Sequence, residues 1–279
     1  MTTLTRSSRP SSGLVYAVLS ALALFSLAPL LLMLLNSLRS RMEISMDPLG
    51  LPRQFLWGNY LAAWQEGALG AALTNSLVVS GLTVLLTCVV ASMAAYSLAR
   101  RRIRAWAAVS VYLLVCTTIP VQLFLIPLFF IFQHLHLVNS RPALALIYTA
   151  LYTPFSIFLL RAYFLAIPVE LEEAARVDGA SDWQVFARVL VPMIAPGLMT
   201  VALVVGLWSW NEFLLAVTFL QDESLYTATV RFYGFSGRFV TEWGKMMASA
   251  VILVVPVIAA FAALQRKFIE GMTAGGIKG

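Results

Sequence analysis

Six apolar stretches dominate the chain, at about residues 14–38, 73–98, 105–132, 143–165, 196–220 and 246–264. Each has the roughly 20 residues that a helix needs to cross a bilayer core. In hydrocarbon the backbone N–H and C=O groups of such runs must bond within their own segment, which an α-helix achieves. Only 11% of the 279 residues are charged, against ~25% in soluble domains, and 60% are hydrophobic. The expected fold class is an all-α membrane protein, a bundle of six spans.

The net charge of +6 invites an anionic partner such as nucleic acid, yet the basic residues fall in short loops flanking the apolar runs. Membrane orientation accounts for them without nucleic acid, because cytoplasmic loops accumulate Lys and Arg. An even number of spans puts both termini on one side. If that side is the cytoplasm, twelve of the 19 Lys and Arg residues lie inside, with Arg100, Arg101, Arg102 and Arg104 contributing most of the bias. Locally, Arg39, Arg41 and Arg53 of the first outer loop outnumber Arg6 and Arg9 of the N-terminal tail. The whole-chain bias sets the expectation of cytoplasmic termini.

Arg6 and Arg9 precede an apolar run as they would in a signal peptide, but residues 14–35 exceed a typical apolar signal region of ~7–15 residues. Asn36-Ser37-Leu38-Arg39 also lacks a small-x-small cleavage pattern, so a retained anchor is expected. The organisation read from the chain is a disordered cytoplasmic tail (1–13), a first span with its periplasmic loop (14–70), a transmembrane domain (71–265) and a cytoplasmic C-terminal tail (266–279). Cys88 and Cys116 lie within spans and read as small packing residues. No internal repeat is visible. Tyr226, Phe232, Tyr233, Phe235 and Trp243 in the loop 221–245 suit either interfacial anchoring or partner contact.

Residues 170–192 form a charged island between two apolar runs and hold five of the 13 acids: Glu170, Glu172, Glu173, Asp178 and Asp182. Pro168 suits the first turn of a helix, the glutamates complement its positive end, and Gly179 suits the left-handed cap that terminates it. Ser181-Asp182-Trp183-Gln184 has the form of a capping box opening a second helix, on which Trp183, Phe186, Val189 and Leu190 recur at helical spacing. Helices that bind only lipid headgroups are usually rich in Lys and Arg, whereas the first half of this island is acidic. A basic protein partner is the better expectation.

Glu173-Ala174-Ala175, Gly179 after three residues, and Val189-Leu190-Val191-Pro192 after nine more resemble the EAA signature of permease subunits in bacterial binding-protein-dependent ABC importers. Val stands where Ile and Leu are usual near its end. Asp178-Gly179-Ala180 and the tail 265–279 are similar to the carbohydrate branch, the maltose-permease type. The resemblance spans about residues 14–279 and implies a six-transmembrane-helix permease fold in the bacterial inner membrane, with a cytoplasmic coupling helix in the loop 168–192. It implies that Glu173 pairs with a basic residue of an ATPase, that Ala174 and Ala175 allow close approach, and that Gly179 permits the bend. Asp178, Trp183 and Phe186 complete that expected contact. Further implied partners are a second, different permease subunit forming a heterodimer, an ABC ATPase dimer reached also by the C-terminal tail, and an extracytoplasmic sugar-binding protein at the loop 221–245.

None of the three lysines lies in a G-x-x-x-x-G-K-[ST] loop, so ATP and Mg are expected on the partner ATPase and no cofactor on this chain. Polar residues within spans are costly and commonly face a cavity or a neighbouring helix. Trp208, Trp210, Asn211, Glu212 and Phe213 combine aromatic faces with hydrogen-bonding groups suited to a sugar, and Asn75, Ser76, Thr118 and Gln122 are further pathway candidates; helix-to-helix bonding is their alternative use. Pro120 and Pro127 suit a kink. His134 and His136, two apart, share no helix face, and neither a metal site nor a catalytic constellation is expected. The rival from another class is a proton-coupled secondary transporter in which Glu212 carries the proton, which leaves the EAA signature and the acidic island unexplained.

Overall fold

The computed structural model describes residues 12–236 and 241–276, except for the side chains of 12, 14, 264 and 266–276. The tail expected to be disordered therefore lies outside the described residues up to residue 11, as do the last three residues of the C-terminal tail. The chain separates into two units, Met1–Gly67 with Gly234–Ile252 and Ala68–Tyr233 with Leu253–Gly279.

In the first unit, α1 (Ser12–Ser37) is apolar on every side, and its span leaves no residue of its most apolar window buried, as suits a helix bathed in lipid. The chain then turns through α2 (Arg41–Met46), opened by a Ser40–Glu43 capping box, and α3 (Gly58–Glu66). Arg39 is buried at the turn. Its Nη1 donates to Asn36 Oδ1 at 2.8 Å, and its Nη2 donates to the carbonyls of Glu43 and Asp47 at 3.0 and 2.8 Å, tying off the C-terminal end of α2.

The second unit runs through α4 (Leu69–Ala99), α5 (Trp106–Thr118), α6 (Leu125–His134), α7 (Arg141–Ala166), α8 (Glu170–Val177), α9 (Asp182–Gln184), a π-wound stretch (Val185–Leu190), α10 (Val191–Met193), α11 (Ala195–Asn211), α12 (Leu214–Phe219) and α13 (Ala228–Gly234). Helices α4 and α7 pack along one another, and α11 lies against both. The buried face of α4 carries Ala72, Ser76, Ser80, Thr83, Thr87, Ala91 and Ala95, small residues at helical spacing that let backbones approach where lipid supplies no hydrophobic drive. Tyr148, Phe164 and Phe219 fill the fully buried centre. Helix α14 (Trp243–Gly276) closes the chain, and its residues 243–252 belong to the first unit. There a Cβ on Gly244 would lie 2.5 Å from the Arg39 carbonyl oxygen, so only glycine fits.

Among the described residues, four helices are long and apolar enough to cross a membrane, or six if each of two bent pairs counts as one span. The pairs revise two of the expected spans. Residues 105–132 are not one helix, because the segments 106–118 and 121–134 meet at 91°. Pro120 lacks an N–H and holds Ile119 in an extended conformation (φ −81°, ψ 123°), so the helix cannot continue. Pro127, by contrast, falls in the first turn of α6, where an N–H has no partner in any case. The expected span 196–220 breaks at Glu212, also extended (ψ 127°), and on its other side α11 meets the segment 182–193 at 73°.

Candidate functional site

The loop 168–192 is built from local signals. Helix α8 starts after Val169, so Pro168 lies just before the N-cap rather than in the first turn. Asp178 caps its C-terminus and Gly179 takes φ +88°; nothing lies within 4 Å of where its Cβ would be, so the backbone conformation, not crowding, calls for glycine. The capping box is present: Gln184 N–H donates to Ser181 Oγ at 3.3 Å, and Ser181 N–H donates to Gln184 Oε1 at 2.8 Å. Pro192, which has no N–H to continue the ladder, follows the π-wound stretch.

The two faces of the loop differ. Glu173, Ala174, Asp178 and Trp183 are exposed, while Ala175 is half-buried against the core. Phe186 departs from the expected contact surface. It is buried with its ring 5.6 Å from Tyr96 and 6.4 Å from Phe164, because the apolar stripe it belongs to faces the bundle. Trp183, 64% exposed, is the member of that stripe left outside.

The acids also divide. Glu173 faces out, but its neighbour Glu172 is 1% exposed. The Glu172 carboxylate accepts from the Tyr96 hydroxyl at 2.8 Å, from Arg100 Nε at 2.6 Å and from Arg176 Nη2 at 3.4 Å. Arg100 Nη2 donates also to the Ile167 carbonyl at 3.0 Å, and Arg176 Nε donates to Asp182 Oδ1 at 3.1 Å, a bond that raises the Arg176 pKa above its ordinary value. Sequence reasoning grouped Glu172 with the acids that complement the helix dipole and missed this role. The available signal was its i,i+4 spacing to Arg176 on the same face as Ala175.

The polar residues of the spans part ways as well. Asn75, 4% exposed, donates to the carbonyls of Ser224 (2.9 Å) and Tyr226 (3.0 Å) and accepts from Arg141 Nη1 (2.9 Å), while Ser76 Oγ accepts from the Ala228 N–H at 2.9 Å. Both, expected along a pathway, instead pin the segment 224–228 to α4. Glu212 is half-buried at the break after α11; its carboxyl accepts from the Leu215 and Ala216 N–H groups and from the Tyr148 hydroxyl. Trp210 is buried, Phe213 packs its ring 4.3 Å from that of Tyr233, and Asn211 is exposed with its amide donating to the Leu207 carbonyl. Gln122 is exposed in the 3-10 turn before α6, and the Thr118 hydroxyl donates to the Val115 carbonyl. Trp208 is 42% exposed and is brought together with Tyr152 (5.4 Å) and Phe155 (4.9 Å), and the three rings line a cleft of about 610 Å³ with Thr117 and Ile119. Tyr152 and Phe155 carried no signal in the sequence, being two aromatics among many in an apolar run.

Residues 87–273 match the family described as binding-protein-dependent transport system inner membrane component. The chain belongs to this family. This inner membrane component is 33% identical to the diacetylchitobiose uptake system permease protein of Streptomyces coelicolor over 96% of its own length and 90% of the relative's. It is 31% identical to the melibiose/raffinose/stachyose import permease protein of Bacillus subtilis, over 98% and 100% of the two chains. Its fold is similar to a chain in the crystal structure of a bacterial ABC transporter involved in the import of the acidic polysaccharide alginate, with TM-score 0.75, 25% identity and coverage of 96% of this chain and 100% of that one. The expected permease fold is thus observed, and the inner membrane is its setting.

Proposed function

We propose that the chain is the transmembrane permease subunit of an ATP-driven carbohydrate importer, forming half of the translocation pathway beside a second, different permease subunit. The named sugars of its relatives support the substrate class. The loop 168–192 docks on an ATPase dimer at the cytoplasmic face, which also holds both termini, in keeping with the Arg100 to Arg104 cluster.

The exposed acidic edge of α8 is the observation that carries this reading. Glu173 projects beside Ala174, a small neighbour that lets a partner's backbone come close, and Gly179 turns the chain sharply back. Glu173 pairs with a basic residue of the ATPase; Asp178 and Trp183 flank the contact. ATP and Mg reside on the ATPase, whose closure moves the docked loop and shifts the bundle between inward- and outward-facing states. Trp208, with Tyr152 and Phe155, offers aromatic faces to a sugar ring, and a sugar-binding protein delivers substrate at the outer loops.

The test is purification of the tagged chain expressed with its chromosomal neighbours, followed by uptake of candidate sugars into proteoliposomes with ATP. Recovery of an ATPase and a second permease with ATP-dependent uptake is the expected result. A chain that comes out alone and takes up solute under a proton gradient would overturn the reading and turn attention to Glu212.

A further inference from the structure

Five side chains close a ring between the end of α4 and the docking loop. Glu172 Oε2 accepts from the Tyr96 hydroxyl, whose oxygen accepts from Arg102 Nη2 at 2.8 Å. Arg102 Nη2 lies 3.6 Å from Asp182 Oδ1, Asp182 accepts from Arg176 Nε, and Arg176 Nη2 returns to Glu172. Arg100 reinforces the ring from the other side, joining Glu172 Oε1 to the Ile167 carbonyl at the end of α7. One buried carboxylate thus joins α4, the end of α7, α8 and the start of the second short helix.

Helix α8 has eight residues, too few to hold an orientation by itself, and Glu173, Ala174 and Val177 on its outer side are exposed. The apolar contacts of Ala175 and Phe186 supply adhesion, which is non-directional. Guanidinium–carboxylate bonds have fixed geometry and so set the angle of the helix as well. A well-packed apolar residue at position 172 would serve stability at least equally, so a carboxylate there with three donors points to orientation as its role.

We propose that Glu172 is the positioning residue of energy coupling: through Tyr96 and Arg100 it fastens the docking loop to α4, so that a displacement imposed on the loop reaches the α4–α7 pair. Without the fastening, motion is absorbed within the loop, at the glycine turn through Gly179. This rests on the function proposed above, since a docked ATPase supplies the displacement.

The experiment is sugar uptake per ATP hydrolysed, measured on the whole transporter in proteoliposomes for the native chain, Glu172→Gln and Arg176→Gln. Glu172→Gln is expected to keep the ATPase bound while uptake per ATP falls about tenfold or more, and Arg176→Gln, at the exposed side of the ring, to lower the ratio about threefold. A purely structural role would reduce the yield of complex and leave the ratio alone. If Glu172→Gln does not assemble, Arg176→Gln decides. A native ratio in an assembled variant overturns the proposal and leaves the importer standing, whereas absence of ATP-driven uptake with the native chain removes both.

Discussion

The Tyr148 hydroxyl donates to Glu212 Oε2 at 2.6 Å, and the same carboxyl group accepts the Leu215 and Ala216 N–H groups at 2.9 and 3.0 Å. Glu212 stands where α11 ends and α12 begins, so it satisfies two N–H groups that the start of α12 leaves without intrahelical partners and fastens the break to α7. An acid inside an expected span, which invited a role in the pathway or in proton transfer, is committed to three donors.

Replacing Glu212 with Gln keeps an acceptor oxygen at the break. ATP-driven uptake by Glu212→Gln is expected to stay within a few-fold of native, whereas Glu212→Leu leaves three donors unpaired and costs about 2–4 kcal/mol. Thermal unfolding in detergent, paired with uptake, measures both. Complete loss of uptake in a stably folded Glu212→Gln would revive the proton-carrier reading.

Gly179 at φ +88° admits no proline, whose ring holds φ near −65°. Gly179→Pro and Glu173→Lys are both expected to leave the protein in the membrane and abolish uptake, the first by misdirecting the loop and the second by reversing the charge offered to the proposed ATPase partner. Membrane immunoblots alongside uptake assays check this. Normal uptake with either change removes the coupling assignment.

Asn75 joins α4 to the carbonyls of Ser224 and Tyr226 and to Arg141. Asn75→Leu removes all three bonds and is expected to cost about 2–3 kcal/mol, with faster hydrogen exchange at Ala228 and its neighbours. Exchange unchanged there, together with altered sugar selectivity, would return Asn75 to the pathway.

A Cβ on Gly197 would stand 2.7 Å from the Tyr163 ring, while Gly81 on α4 has nothing within 4 Å. Gly197→Ala should destabilise by about 1–3 kcal/mol through overpacking, and Gly81→Ala should be neutral or stabilising by up to about 1 kcal/mol. Melting temperatures of the two variants in one detergent compare them directly; equal values would show that Tyr163 moves aside freely.

Much of this protein is written in short-range pattern. Long apolar runs determine membrane helices, Gly179 its left-handed turn, and Ser181 with Gln184 a helix start, because each depends on a few adjacent residues and on the covalent limits of the backbone. Pro120 suits a kink by the same logic, but the 91° bend depends on what the two halves pack against. The destinations of polar groups were decided by the tertiary structure alone. Glu172 and Glu173 are chemically identical neighbours, yet one helical step of about 100° sends the first into a buried cage of Tyr96, Arg100 and Arg176 and the second outward. Asn75 finds its partners 66 to 151 positions away, and Phe186 joins Tyr96 and Phe164 from distant helices. Local sequence determines where helices begin, run and stop; which face of each meets a neighbour is a property of the packed bundle, since the donors, acceptors and rings that claim a side chain arrive from elsewhere in the chain.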